Sequence, residues 1–571
     1  MLTKRWKLKE VNEEIANKLQ SQLNINPSIC KILAQRGLSN FEEAKAFFRP
    51  KLEDLHDPNL MKDMDKAVER IIVAIERNEK IMIYGDYDVD GTTSVALMYL
   101  FLHKLHTALE FYIPDRYSEG YGISLKGVDF ARENEIGLII ALDCGVTAVE
   151  QIEYASQLGI DFIICDHHLP SDIIPNAVAV LDPKRVDCQY PFKELSGAGV
   201  GFKLCTALAI KLHIPLEEVY KYLDLVAVSI ASDIVPVVGE NRILAYYGLE
   251  KLNQDPIVGL KVLKSLSNLE SKVITISEIV FSLGPRINAP GRMSHAKASV
   301  EMLIAEDESI GFGLAEKLNI VNTERRVTDE QITGEAIYTL DNETELLNKK
   351  TIVLTHPDWS KGVIGIVASR LVEKYYRPTI IFSEKDNMLT GSARSIKGFS
   401  IYDGIKKCSQ HIEQFGGHDF AAGVSILKEN YEAFKESFEL EASKMISDDM
   451  LLPEIEIDLE IDLKEITMPF YNILNQIGPF GPKNMQPVFK TKNLVDAGGT
   501  KYVGKDDNHV KFNLKNSEGL IINGIAFGLG KYYDIRDIQS NPMDICYTLN
   551  INDFNNKKML EITVKDIKIK D

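Results

Sequence analysis

Four short apolar runs punctuate the first third of the chain, and each ends abruptly in a polar turn. Ile81–Tyr84 leads into GDYDVDGTTS, Leu138–Leu142 into DCGVT, Phe162–Cys165 into DHHLP and Ala177–Leu181 into DPK. Helical stretches follow the first three, and Ala67–Arg77 (AVERIIVAIER), just upstream, has apolar residues at helical spacing. Strand-length runs alternating with helices predict a mostly parallel α/β sheet. Residues 1–80 read as mostly helical. From about 304 to 348 the chain is polar-helical without strand signals, which predicts one long connecting helix. A second α/β unit follows: Ile352–Thr355, a helix through Gly365–Tyr375, Thr379–Phe382 and a glycine-rich end, FGGHDFAAG. The acidic stretch near 446–465 reads as a linker. Beyond it Val510–Leu514, Tyr547–Ile551 and Leu560–Val564 alternate in polarity, the pattern of a small antiparallel barrel or sandwich.

The polar residues that end the runs change this picture from fold to chemistry. Ligands of a parallel sheet bind beyond the carboxyl ends of its strands. Asp86, Asp88, Asp90, Asp143 and Asp166, with His167 and His168, should therefore gather on one edge. Five carboxylates in one place repel each other unless a cation neutralises them. Carboxylate and imidazole without thiolate suit Mn²⁺ or Mg²⁺ better than structural zinc, and the number of carboxylates allows two ions. Taken singly, each motif has a plainer reading. DYDVDG could be a solvated loop or resemble a calcium loop, Asp143 could cap a helix, and GGH could be a tight turn. The adjacent histidines have no packing explanation, and the three strand ends together favour a metal site.

Composition sets limits. The 571 residues are 45% hydrophobic and 26% charged, enough for several buried cores. The seven cysteines are scattered and never spaced CxxC, which argues for reduced thiols, a cytoplasmic location and no zinc site. No secretory h-region and no membrane-length apolar run is visible. The net charge of −18 disfavours a protein that coats DNA through a broad basic surface. It leaves room for a local channel: residues 351–410 carry nine Lys/Arg against five Asp/Glu, whereas 441–470 carry two against nine.

GDYDVDGTTS, DCG and ICDHH resemble the motifs of the DHH phosphoesterase superfamily. PDRYSEGYG (114–122), SGAGVGFK (196–203), VAVSIASDIVPV (226–237), GPRINAPGRM (284–293), GVIGIVASRLVEKYYRPT (362–379), GSARS (391–395), FGGHDFAAG (415–423) and IGPFGPKNMQPVF (477–489) narrow the resemblance to its RecJ family. The resemblance implies a parallel-sheet DHH catalytic domain with an N-terminal helical region over 1–300 and a connecting helix over 301–349. It implies a DHHA1 substrate-binding domain over 350–445 and a β-barrel OB-fold over 453–571. It carries metal ligation onto Asp88, Asp90, Asp143, His167 and Asp233, and catalytic support onto His168, Asp166 and Asp86. A pocket for a DNA 5′ phosphate falls on Arg116, Ser392 and Arg394. Further substrate contacts fall on Arg286, Arg292, Gly416, Gly417 and His418, and stacking candidates on Tyr502, Phe512 and Phe527. One residue departs from the family's pattern: Ser360 follows Trp359, where relatives often carry His or Asn.

The activity implied is 5′→3′ hydrolysis of single-stranded DNA to 5′-mononucleotides with two divalent ions, Mn²⁺ or Mg²⁺, in repair and recombination. The protein is expected to act as a monomer, with a single-strand-binding protein and a helicase as partners and no membrane. Two alternatives stay open: a phosphodiesterase for short oligoribonucleotides or cyclic dinucleotides, and a non-catalytic single-strand-binding replication scaffold.

Overall fold

The computed structural model describes residues 4–554 and 557–570. The chain divides into two compact units. One comprises Ala46–Arg325 with Ile477–Met485, and the other Met1–Lys45, Arg326–Gln476 and Gln486–Asp571.

The first unit is built on a five-stranded parallel sheet. Its strands are β2 (Lys80–Gly85), β3 (Leu109–Tyr112), β4 (Ile136–Leu142), β5 (Asp161–Cys165) and β6 (Ala179–Leu181), in the order β3-β2-β4-β5-β6. (β1, Arg5–Leu8, belongs to the other unit.) Because side chains alternate along a strand, each run feeds two cores at once. Ile81 and Ile83, Leu138, Ile140 and Leu142, and Ile163 and Cys165 pack into one core. Met82 and Tyr84, Ile139 and Ala141, and Phe162 and Ile164 pack into the other. Burial on both faces is why these runs are continuously apolar. β3 escaped the sequence reading because LEFY is short and polar at its second position.

Helix Val89–His103 is apolar nearly all round and buried, as expected of a helix enclosed in a large domain. Helices Gly197–Lys211 and Leu223–Ser232 are buried in the same way. The predicted connecting helix is present as one 35-residue helix, Glu308–Asn342.

In the second unit β7 (Ile352–His356), β8 (Thr379–Lys385), β9 (Met388–Arg394), β10 (Gln414–His418) and β11 (Ala421–Leu427) form a sheet in the order β10-β11-β9-β8-β7. Only β7–β8 is parallel. The glycine-rich FGGHDFAAG is a β-hairpin, with Gly416 opposite Gly423.

A barrel-like sheet follows. It consists of β13 (Leu459–Glu460), β14 (Phe489–Asp496), β15 (Lys501–Val503), β16 (His509–Lys515), β17 (Ile521–Ala526), β18 (Met543–Phe554) and β19 (Lys557–Ile569). The order is β13-β14-β18-β19-β17-β16-β15, and a β14–β16 pairing curls it back on itself.

The start of the chain is mostly helical as expected, with one short strand, β1, before its helices. One expectation changes: 446–465 is not a plain linker. β1 pairs in parallel with β12 (Glu454–Ile457), and β13 follows directly. The basic strand RWKL meets the acidic strand EIEI: Arg5 Nε lies 2.9 Å from Glu454, and just beyond the strands Lys9 Nζ lies 2.9 Å from Asp458. Opposite charges facing across the pair stabilise it, and neither segment shows that partnership alone.

Candidate metal centre

Every carboxyl end of the central strands contributes to one cluster. Asp86 follows β2, and Asp88 caps helix Val89–His103 by accepting the Gly91 N–H at 3.0 Å. Asp90, one turn in, is 1% exposed and held on several sides. It accepts the backbone N–H groups of Gly197 (2.7 Å) and Ala198 (2.9 Å) and the Ser229 hydroxyl (2.7 Å). The two N–H groups are orphan donors at the start of helix Gly197–Lys211, where a carboxylate is favoured. Asp143 follows β4 with φ of +60°. A side chain on Gly197 would place its Cβ 2.7 Å from the Asp143 Cβ, so only glycine lets the helix approach this carboxylate. Asp233 arrives from elsewhere, as the C-cap of helix Leu223–Ser232.

These groups converge on His167. Its Nε2 lies 3.1 Å from Asp143, 3.5 Å from Asp233 and 3.6 Å from Asp90. Burial lowers the His167 pKa to about 4 in spite of Asp90, so the ring is neutral at pH 7. A neutral imidazole nitrogen surrounded by carboxylates is a donor set for a divalent cation. Three groups of ligand atoms each lie within 4.8 Å: Asp143, His167 and His168; Asp90, His167 and Asp233; and Asp86, Asp88 and Asp143. Shared Asp143 and His167 join them into one site with donors enough for two ions. The buried Asp86 Oδ1 has no hydrogen-bond partner among the described residues, as suits an atom reserved for a cation.

His168 is differently placed. Its Nδ1 lies 2.7 Å from Asp166 Oδ1, and Asp166 also accepts the N–H groups of His167 (2.7 Å), His168 (3.2 Å) and Val146 (2.9 Å). Burial alone would raise the Asp166 pKa, but the His168 hydrogen bond and charge hold it well below the usual carboxylate range. Burial likewise opposes charge on His168, and Asp166 overcomes it, raising that pKa to about 9. His168 is thus a protonated, half-exposed donor at the mouth of the site. Tyr121, which sequence reasoning missed, places its hydroxyl 3.2 Å from His168 Nε2. Its ring packs edge-on to Tyr87, which carries the Arg116 guanidinium 4.2 Å above its face. The only sequence signal was the second tyrosine of PDRYSEGYG.

The remaining substrate candidates divide. The Arg116 Nε is buried without a hydrogen-bond partner among the described residues. Arg286 is engaged, with Nε 3.0 Å from Asn319 Oδ1 and Nη1 2.7 Å from the Ser282 carbonyl. Arg292 ends the same helix, Gly284–Met293, and its carbonyl accepts the Tyr117 hydroxyl. In the second unit Ser392 and Arg394 share a face of β9, 3.1 Å apart. A Cβ on Gly365 would lie 3.0 Å from both, so the bare glycine keeps their pocket open. Arg394 is mostly enclosed, burial lowers its pKa, and it forms no ion pair among the described residues. Gly416, Gly417 and His418 are exposed on β10. Of the stacking candidates, Phe512 is core at 1% exposure, Tyr502 donates its hydroxyl to the Tyr533 carbonyl, and Phe527 is exposed.

The carboxylates yield a pH prediction. Without bound cations, burial and mutual repulsion raise the pKa values of Asp86, Asp88 and Asp143, and burial with Asp90 raises Asp233 to about 8. Unfolded carboxyls titrate near ~4. Between these values the folded form holds more protons, so stability is greatest at low pH and is lost as pH rises towards 8. Protein in EDTA should melt at a lower temperature at pH 8 than at pH 6. Mn²⁺ at about 100 times its Kd should restore about 2.7 kcal/mol. A flat melting temperature from pH 6 to 8 in EDTA would contradict the coupling.

Residues 80–230 match the DHH family, N-terminal domain, residues 348–444 the DHHA1 domain, and residues 457–566 the RecJ OB domain. The chain is 36% identical over 564 residues to the single-stranded-DNA-specific exonuclease RecJ of Bacillus subtilis, covering 98% of this chain and 70% of that one. It is 32% identical to the protein of the same name from Haemophilus influenzae, covering 94% and 96%. A crystal structure of RecJ with Mn²⁺ from Thermus thermophilus shares the fold, with a TM-score of 0.84 at 24% identity over 99% of this chain and 79% of that one. A crystal structure of exonuclease RecJ bound to manganese matches 69% of this chain and 97% of its own, with a TM-score of 0.60 at 29% identity. With three domain matches in order and full-length relatives above 30% identity, the chain belongs to the RecJ family.

Proposed function

We propose that this protein is a divalent-metal-dependent exonuclease that degrades single-stranded DNA from its 5′ end to 5′-mononucleotides. The observation that carries the chemistry is the convergence of Asp90, Asp143 and Asp233 on His167 Nε2 within 3.6 Å. Asp88, Asp90, Asp143, His167 and Asp233 would hold two ions, Mn²⁺ or Mg²⁺, with Asp86 in support. When bound, such ions activate water for attack on phosphorus and neutralise charge on the phosphate and leaving oxygen. Asp166 keeps His168 protonated and oriented, so its N–H can donate to a phosphate oxygen as charge develops there. Ser392 and Arg394 offer a hydroxyl and an uncompensated guanidinium to a terminal phosphate, and Arg116 keeps its assignment to phosphate binding. Arg286, Arg292, Gly416, Gly417 and His418 remain assigned to the strand's backbone. The division at 1–300, 301–349, 350–445 and 453–571 is proposed as the functional partition. A monomer working with a single-strand-binding protein and a helicase completes the reading. Among the described residues no helix is long and apolar enough to cross a membrane.

The deciding assay compares 5′-phosphorylated single-stranded DNA with a cyclic dinucleotide and a short oligoribonucleotide, each with Mn²⁺. Mononucleotides released from the 5′ end of the DNA support the reading. Preferential cleavage of either small substrate, or binding without cleavage, would replace it.

The barrel supplies strand affinity through a basic sheet face. Lys501 lies directly opposite Lys511 on β15–β16, and neither forms an ion pair among the described residues. Like charges facing across strands are destabilising by themselves, which an anionic ligand would relieve. The exposed Phe527, just past β17, packs against His509 at the start of β16, ring centroids 5.3 Å apart. Converting both lysines to glutamine should weaken single-strand binding and flatten its salt dependence by about 1.4 in log–log slope. An unchanged slope would place the strand elsewhere.

A further inference from the structure

A separate cleft, apolar over most of its lining (Leu347, Pro453 and Leu529 among it) but edged by cations, lies within the unit formed by Met1–Lys45, Arg326–Gln476 and Gln486–Asp571. It measures about 520 Å³ and is lined by Lys4, Glu373, Lys374, Tyr375, Arg377 and Tyr532 among others. That volume lies in the range of small-molecule sites, which run from roughly 300 to 1,000 Å³. Three cations face one carboxylate across it, in a chain whose net charge is −18.

Arg377 is the residue that most needs explaining. Its Nε is buried with no hydrogen-bond partner, and it forms no ion pair among the described residues. Burial lowers its pKa, and Glu439, the one carboxylate whose charge opposes this, is committed to the backbone N–H groups of Lys350 (2.9 Å) and Thr351 (3.0 Å). A half-buried guanidinium left in this state is a site for an anion. Lys374 sits 4.9 Å above the Tyr375 ring, and its nearest carboxylate, Asp341, is 3.9 Å away. Tyr532 is 46% exposed, with Lys531 Nζ 5.9 Å over its ring, so part of an aromatic surface stands accessible beside the cations.

We propose that this cleft binds a nucleoside phosphate. Arg377, Lys374 and Lys4 take the phosphate, the Tyr532 ring takes the base, and Glu373 accepts a hydrogen bond from a sugar hydroxyl or an exocyclic amine. Inorganic phosphate would leave the ring unused, and an apolar ligand would leave Arg377 unpaired. The same chemistry has two sources: a free mononucleotide, or one nucleotide unit of a single strand. The site stands on its own geometry and does not depend on the nuclease reading.

The test uses the full chain in EDTA, so that strands stay intact. The probes are dAMP and a labelled 20-nucleotide thymidylate strand. dAMP is expected to bind with a Kd at or below about 1 mM. Lys374→Glu and Tyr532→Ala should each weaken dAMP by at least about tenfold, since each removes a charge-assisted or stacking contact. Asp143→Asn, in the metal centre, should leave it unchanged. Loss of strand affinity in the same variants, with dAMP competing, assigns the site to a strand; loss of dAMP alone assigns it to free nucleotide. The proposal is overturned if neither variant alters dAMP or strand binding. It is also overturned if hexaglutamate binds as tightly as dAMP and is lost in the same variants, since the cleft would then be a carboxylate site. Both variants alter exposed side chains, and matching melting curves would exclude misfolding. Mn²⁺-dependent cleavage measured in parallel separates failure of this inference from failure of the nuclease reading.

Discussion

Asp143→Asn should reduce nuclease turnover on the order of 10³-fold or more while leaving the fold intact. Asp143 contributes to two of the three ligand groups and lies 3.1 Å from His167 Nε2, so its loss weakens both halves of the cluster. Even residues that only orient metal ligands cost about 10–100-fold when changed. Asparagine is the appropriate replacement because Asp143 sits at φ +60°, a conformation it tolerates and alanine does not. It also removes a buried charge whose pKa is raised by burial and by neighbouring carboxylates. In EDTA the variant should therefore melt no lower than the parent, and higher at pH 8, where the parent's repulsion is greatest. Single-strand affinity should stay within about threefold, because carboxylates repel phosphate and supply none of the binding. Near-parental turnover in excess Mn²⁺ would remove Asp143 from the ligand set.

Arg394→Ala should lower the preference for 5′-phosphorylated over 5′-hydroxyl DNA by about 10–100-fold, from the ~1.5–3 kcal/mol of hydrogen bonds to a charged group. The competing account is an ion pair that braces the fold, and Arg394 forms none among the described residues. What it has is the Ser392 hydroxyl at 3.1 Å and its neighbour's carbonyl at 2.8 Å. Ser392→Ala should shift the same ratio by a smaller factor. Arg394→Lys should rescue it poorly, since an ammonium does not reproduce the planar fork. The measurement is kcat/KM on matched oligonucleotides differing only in the 5′ group. If both substrates slow equally, Arg394 is structural. If the wild type ignores the 5′ group or degrades from the 3′ end, the polarity argument is lost.

The sequence by itself determined the catalytic sheet and most of its chemistry. Strands buried on both faces must be apolar at every position, so β2, β4 and β5 stand out from their surroundings. The polar residues that end such runs lie at the sheet's carboxyl edge whatever the rest of the fold does. Asp86, Asp88, Asp90, Asp143, Asp166, His167 and His168 were therefore legible as a group. The local pattern did not tell the two histidines apart; only the family resemblance gave them separate roles. Whether a ring is neutral or protonated depends on burial and on which nitrogen meets which carboxylate, and only the folded site sets His167 to about 4 and His168 to about 9.

Of the contributions that arrive from helix ends the family resemblance named Asp233, no local pattern marked any of them, and only the tertiary structure decided the others. Asp233 completes the cluster because helix Leu223–Ser232 terminates beside His167, and nothing periodic in the sequence marks a C-cap as a ligand. Ser229 and the Gly197 and Ala198 N–H groups fix Asp90 by the same packing. Tyr121 gains its role from a loop that returns to His168. The strand Arg5–Leu8 exists because Glu454–Ile457 lies alongside it, and Phe512 is core because alternation reveals two faces without saying which is inside. The reason is common to all of them: local pattern records which side of an element is apolar, whereas these features depend on which distant element that side, or that end, comes to meet.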